Sequence, residues 1–246
     1  MDNFERENFE SILDQQLFFH HFQPIIDIQN QNQTIGYEGL LRSHYIQNPE
    51  TLFNTAIQKN RLFELDTASI IKAIQSIEDV AEIMDSSVYV FLNVYPSTLL
   101  SQTFFSLLKE AFPDGIGSDI RMVLEINESE LIHNVPLFKK TLSQLQSLGL
   151  YIALDDVGKG ASTFERIIQL SPNFIKLDKH FASGLHQSPN KQNMIRFFLD
   201  YCSKHEIKLI LEGIETHEEL ETAKTLGITL GQGYLLGKPN QLDCYL

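Results

Sequence analysis

The sequence predicts an α/β chain: a modified TIM-like (β/α)8 barrel with an antiparallel first strand. Three observations predict it. Strand-like and helix-like segments alternate along the 246 residues, the pattern of a sheet covered by helices. Seven apolar runs end in, or carry near their ends, a residue able to hold a metal or a phosphate. No Pro/Ser/Gly-rich linker, repeat or low-complexity tract divides the chain, and the polar stretch 30–33 is too short to separate domains. One domain over 1–246 is therefore expected, with 1–20 as a helical lead-in.

Taken in order, residues 1–10 are polar and acidic and run into an amphipathic stretch that ends at Phe18. His20 and His21 read as solvated residues at the end of that lead-in. Strands are expected at 22–28 and 35–42, rich in Ile and Leu. Only residues 29–34 separate them, and a parallel crossover needs a dozen or more residues. The two must form an antiparallel hairpin, so the opening strand runs against its neighbour. Helical patterns follow at 51–59 and 64–84, then the apolar strand 88–94. The remainder repeats the alternation: helix 97–111, strand 121–126, helix 136–148, strand 150–155, helix 163–170, strand 173–177, helix 190–205, strand 207–212, helix 216–226 and strand 230–236.

Composition narrows the function. With 43% hydrophobic and 21% charged residues the chain can bury a large core. No segment resembles a signal peptide or approaches the length of a membrane span. Cys202 and Cys244 have no metal-type spacing, and two unpaired thiols suit the cytoplasm. The net charge of −13, from 32 acidic and 19 basic residues, opposes binding to DNA or anionic membranes. A small anionic ligand is compatible with it, because a bound divalent cation inverts the local field.

The seven runs carry the chemistry. They are GYEGLLR (Glu38, Arg42), VYVFLN (Asn93), MVLEINE (Glu125), YIALDD (Asp155, Asp156), FIKLD (Lys176, Asp178), IKLILEG (Glu212) and LGQGYLL (Gln232). Barrel active sites lie at the rim where such strands end. Strand alternation puts Val123 with Glu125, Ala153 with Asp155, and Phe174 with Lys176 and Asp178 on shared faces. An inward carboxylate is costly unless it is paired or bound to a metal. Glu38, Glu125 and Asp155, with the Asn93 amide oxygen, are hard oxygen donors of the kind magnesium and manganese prefer, and no His cluster points to zinc. The Asp155–Asp156 pair, followed by Gly158 and Gly160, suits a loop closing over a metal; it equally suits an N-cap or Asx-turn ahead of the next helix. Lys176 and Glu212 read either as an interstrand salt bridge or as a reacting pair. Gln23, before Pro24, is an edge residue or a ligand contact, and Arg42 is a surface cation or a phosphate clamp.

Together these residues resemble the EAL domain, the bacterial phosphodiesterase for cyclic di-GMP, in order from about Phe22 to Pro239. FQPIID and GYEGLLR resemble the family's opening, with Glu38-Gly39-Leu40 at the name motif. FLNVYP, LEINES, LDDVGKG, IKLD, LEGIET and LGQGYLLGKP follow. The resemblance implies hydrolysis of cyclic di-GMP to linear pGpG with one or two Mg2+ or Mn2+ ions. It makes Glu38, Asn93, Glu125, Asp155 and Asp156 metal ligands, with Asp156 serving a second metal or the attacking water. Lys176 and Glu212 complete the reacting centre, and Gln23, Glu38, Leu41, Arg42 and Gln232 contact substrate. Glu128 anchors the loop after Asp156, and Asp178 and Glu215 are supporting polar residues. A homodimer through helices near that loop is also implied. The chain departs from the family at Gly39 (usually alanine), at Asn127 (usually threonine), and at Val157, Lys159 and Ala161 in the loop, where Phe, Thr and Tyr are usual. The loop changes leave a second reading open, a receptor that binds cyclic di-GMP with little or no turnover.

Overall fold

The computed structural model describes residues 3–80, 83–85, 87–111, 121–126, 130–159 and 163–246. Among the described residues eight strands close into a barrel in chain order. The elements are α1 (Asn3–Asp14), β1 (Phe19–Asp27), β2 (Gln33–Arg42), α2 (Pro49–Gln58), α3 (Leu62–Glu78), β3 (Tyr89–Val94), α4 (Pro96–Leu99), α5 (Gln102–Ala111), β4 (Arg121–Ile126), α6 (Val135–Ser147), β5 (Tyr151–Val157), α7 (Thr163–Leu170), β6 (Phe174–Leu177), α8 (Pro189–Lys204), β7 (Lys208–Leu211), α9 (His217–Leu226) and β8 (Leu230–Gly231).

The hairpin deduced from the short connection is present. β1 pairs antiparallel with β2, Gln23 opposite Glu38, and antiparallel with β8 on its other edge. The other neighbouring strands are parallel. The antiparallel opening strand brings its N-terminal end, rather than its C-terminal end, to the rim where the other strands finish.

Two cores follow from the two-residue period of the strands. Val90, Leu92, Met122, Leu124, Ile152, Leu154, Ile175, Leu177, Leu209 and Leu211 face the surrounding helices. Ile25, Tyr89, Phe91, Val123, Ala153, Phe174, Ile210 and Leu230 fill the barrel. Phe91 and Phe174 meet edge-to-face with centroids 5.0 Å apart, a favoured aromatic geometry. This plug gives the barrel a solid floor.

Helix starts are written locally. Asn48 before Pro49, Asn134 ahead of Pro136 and Ser188 before Pro189 each accept a backbone N–H with their side chain at the head of α2, α6 and α8. α1 buries Phe9, Ile12 and Leu13 against Leu52, Ala56 and Leu65. Lys59 and Arg61 ion-pair with Glu10, and Arg61 also with Asp14.

Several expectations are corrected. The lead-in helix ends at Asp14, and His20 and His21 belong to β1. His20 is buried, its Nε2 3.0 Å from Ser69 Oγ. The 97–111 helix is two, α4 and α5, broken at Leu100–Ser101. The third helix stops at Glu78, and β8 stops at Gly231. The Gln232 amide still bonds Leu211 O on β7, and then the chain turns, with the amides of Leu236 and Gly237 both bonding to Gly233 O. Glu128, Asn127 and Ala161 lie outside the described residues.

Candidate active site

Six residues of the polar rim stand two positions beyond a plug residue. Asn93 follows Phe91, Glu125 follows Val123, Asp155 follows Ala153, Lys176 follows Phe174, Glu212 follows Ile210 and Gln232 follows Leu230. The period of two therefore stacks a polar layer on an apolar one around a single axis.

Lys176 is the centre of that layer, with its side chain 0% exposed. Its Nζ lies 2.7 Å from Glu212 Oε1, 2.8 Å from Glu125 Oε1, 3.0 Å from Glu38 Oε2 and 3.5 Å from Asp155 Oδ1. Burial opposes its charge, but Asp155, Glu125, Glu212 and Glu38 together hold the ammonium well above its usual pKa.

The acids are not equivalent. Burial disfavours the charge on Glu38, yet attraction to Lys176 and hydrogen bonds from Gln232, Lys176 and Asn93 outweigh it and lower its pKa. Gln232 Nε2 donates to Glu38 Oε2 at 2.7 Å and Asn93 Nδ2 to Oε1 at 3.3 Å. Glu125 is raised well above the usual range by burial and by Glu38, against the pull of Lys176. Asp155 is raised by burial, opposed by Lys176 and reinforced by Glu38 and Asp156. Burial lifts Glu212 to about 8, with Lys176 opposing and Asp155 and Glu38 adding.

This donor set fits a divalent cation. One oxygen each from Asp155, Asp156 and Glu212 lie within 4.8 Å of one another. Glu125 Oε2 and Asp155 Oδ1 are buried without a hydrogen-bond partner. Oxygen donors in excess over one ammonium suit a hard ion. Glu212 thus stands with the two aspartates as well as with Lys176.

An open cleft of about 530 Å³ leads to the layer, and its walls include Glu38, Leu41, Arg42, Asn93, Asp155, Asp156 and Lys159. Gln23 and Gln232 stand behind Glu38 and not in that wall. Gln23 Nε2 donates to Gly237 O at 3.0 Å, and Gln232 Oε1 is buried with no hydrogen-bond partner. Asp178 accepts from the His180 amide at 2.8 Å and caps the turn after β6, while Glu215 is exposed.

Asp156 sits at the register shift near the end of β5 in the left-handed region at φ 52°, which aspartate tolerates better than most residues. The turn continues through Gly158 at φ 105°, where a Cβ would come within 2.3 Å of the Phe181 ring. It returns Lys159 onto Asp156, Nζ to Oδ2 at 2.7 Å, and this pair raises the Lys159 ammonium above its usual pKa.

Two residues escaped the sequence reading. Glu219 is buried and holds the loop behind Glu212, accepting from the amides of Gly184, Glu215 and Thr216. Its signal was the Thr216-x-x-Glu219 capping box at the head of α9. His20 lines the cleft; burial, with Lys72 and Arg42, pushes its pKa down to about 3. Its strand position followed only from extending β1 two or three residues upstream.

Known structures share this fold. The crystal structure of an EAL domain protein from Listeria monocytogenes superposes with a TM-score of 0.83 at 22% identity, covering 100% of this chain and 97% of that one. A Klebsiella pneumoniae BlrP1 manganese/cyclic di-GMP complex gives 0.80 at 24% identity, over 92% and 56% of the two chains. Among curated relatives, the cyclic di-GMP phosphodiesterase TpdA of Vibrio parahaemolyticus is 28% identical over 218 residues, 88% of this chain but 36% of that protein. The EAL domain profile matches residues 6–239, and the chain belongs to the EAL domain family.

Proposed function

We propose that this chain is a metal-dependent phosphodiesterase that cleaves one phosphodiester bond of cyclic di-GMP to give linear pGpG. The observation that carries the reading is the buried acidic layer around Lys176, opening on a cleft bordered by Arg42. Glu38, Asn93, Glu125, Asp155 and Asp156 would hold one or two ions, magnesium or manganese, with Glu212 within reach. A bound ion there supplies Lewis-acid stabilisation of phosphate charge at neutral pH.

The chain's own groups do the rest. Lys176 holds Glu125 and Glu212 in register, and its fixed positive charge would offset charge building on the phosphate. Arg42 and Leu41, on the cleft wall, would bind the substrate, and Gln23 and Gln232 would fix Glu38 and the ligand's edge. Glu128 would tether the loop after Asp156. Residues 1–246 would act as one cytoplasmic domain. Phe164 and Ile168 are exposed on α7, just after that loop, and Met194 and Phe197 on α8, with the Phe164 and Phe197 ring centroids 6.0 Å apart. An apolar patch there fits a second copy of this chain, giving a homodimer.

A receptor that binds cyclic di-GMP without turnover is the second reading, favoured by the cation already seated on Asp156. Glu38→Ala decides whether this layer is a reaction centre. Hydrolysis in manganese should fall by at least about a hundredfold, the scale of losing one electrostatic stabiliser of a reacting site. A variant that still makes pGpG at the native rate sinks the assignment.

A further inference from the structure

Two ammonium groups divide the acids of the rim between them, and unequally. Lys176, wholly buried, ion-pairs with Glu38, Glu125, Asp155 and Glu212. Its ion pairs do not include Asp156. That carboxylate is paired with Lys159, whose side chain is 60% exposed where that of Asp156 is 31% exposed. The first cation is locked in the core. The second is at the end of a flexible stem over the cleft, free to swing into water.

The pairing is set by the backbone. The Lys159 amide donates to Asp156 O at 3.1 Å, and with Asp156 and Gly158 both at positive φ the turn folds residue 159 back over residue 156. Asp156 also belongs to the oxygen cluster with Asp155 and Glu212. Lys159 therefore bonds one oxygen of a donor that a divalent ion at this cluster would use.

We infer that Lys159 is an internal competitor for the cation position at Asp156, and so sets how tightly this chain holds a divalent ion there. An ion at the cluster has to share the Asp156 carboxylate with Lys159 or displace it, and the ammonium charge beside the site disfavours the ion in either case. The inference rests on the metal-dependent reading above and concerns the ion's affinity, not the chemistry.

The test is calorimetric titration of Mn2+ into the native chain, Lys159→Gln, Lys159→Arg and Lys204→Gln, with the Mn2+-induced rise in melting temperature as a second readout. Lys204 pairs with Asp200 far along α8 and controls for net charge. Lys159→Gln should lower the Mn2+ dissociation constant about two- to fivefold, the scale of a partly exposed ion pair. Lys159→Arg and Lys204→Gln should match the native chain. Equal affinity for the native chain and Lys159→Gln overturns the inference while leaving the metal site standing. Equal tightening by Lys204→Gln overturns it as well, since a general charge effect is then enough. No Mn2+ binding by any of the four overturns both the inference and the metal-dependent reading.

Discussion

Lys176 Nζ and Glu125 Oε1 stand 2.8 Å apart on neither adjacent strand nor exposed surface, both side chains fully buried. Lys176 is on β6 and Glu125 on β4, so the bond crosses the barrel above Phe174 and Val123. It ties the charges of the layer to the apolar floor beneath.

Removing that cation should be severe. Lys176→Met leaves Glu38, Glu125, Asp155 and Glu212 without their shared partner. Breaking a buried pair from one side costs about 3–5 kcal/mol. Urea unfolding at pH 8 should show a loss of that order, shrinking toward pH 5, where acids such as Glu212, already lifted to about 8, hold protons. A loss under about 1 kcal/mol at pH 8 would mean the layer is hydrated rather than buried.

Gly36 and Gly39 on β2 should respond unequally to alanine. A Cβ on Gly36 would fall 2.6 Å from the backbone oxygen of Tyr89, which cannot move without the strand. At Gly39 the nearest atom, at 2.8 Å, is a methyl of Leu92, the far end of a flexible side chain. Gly36→Ala should cost about 2 kcal/mol or more, while Gly39→Ala should stay within about 1 kcal/mol of the native chain, strain offset by backbone stiffening. Thermal unfolding of the two variants checks the order; equal losses would refute the packing argument.

What the sequence made legible follows the range of the interactions. The strands bearing Asn93, Glu125, Asp155, Lys176 and Glu212 were readable because a period of two is local, and the hairpin because a short connection admits one geometry. The end of β8 was not, because it depends on a turn at 233–237. His20 was misread because a His-His pair between aromatics has no period of its own; its burial depends on Ser69, forty-nine residues away. The Lys159–Asp156 pair depends on the left-handed backbone at Asp156, which composition does not announce.

Asp66 gives a pH dependence independent of any metal. It is buried on α3, where it accepts from the Tyr95 amide at 2.9 Å, and burial raises its pKa to about 7. The folded state therefore holds a proton between about pH 4 and 7 that the unfolded chain has released. Its contribution to stability falls as pH rises through that window and is constant above it. Asp66→Asn keeps an acceptor and removes the titration. The variant's stability relative to the native chain should improve by about 2–4 kcal/mol from pH 4.5 to pH 8, measured by urea unfolding at each pH. A difference that stays flat with pH would place the ionised carboxylate comfortably in the fold.

The measurement that bears most directly on the account is turnover itself. The native chain is incubated with cyclic di-GMP and Mn2+ or Mg2+, with and without EDTA, and the products are separated by chromatography. The account predicts pGpG that appears with metal and vanishes with EDTA. Intact cyclic di-GMP after incubation in excess Mn2+, with nucleotide binding still seen by calorimetry in calcium, would contradict it and make the acidic layer a receptor site.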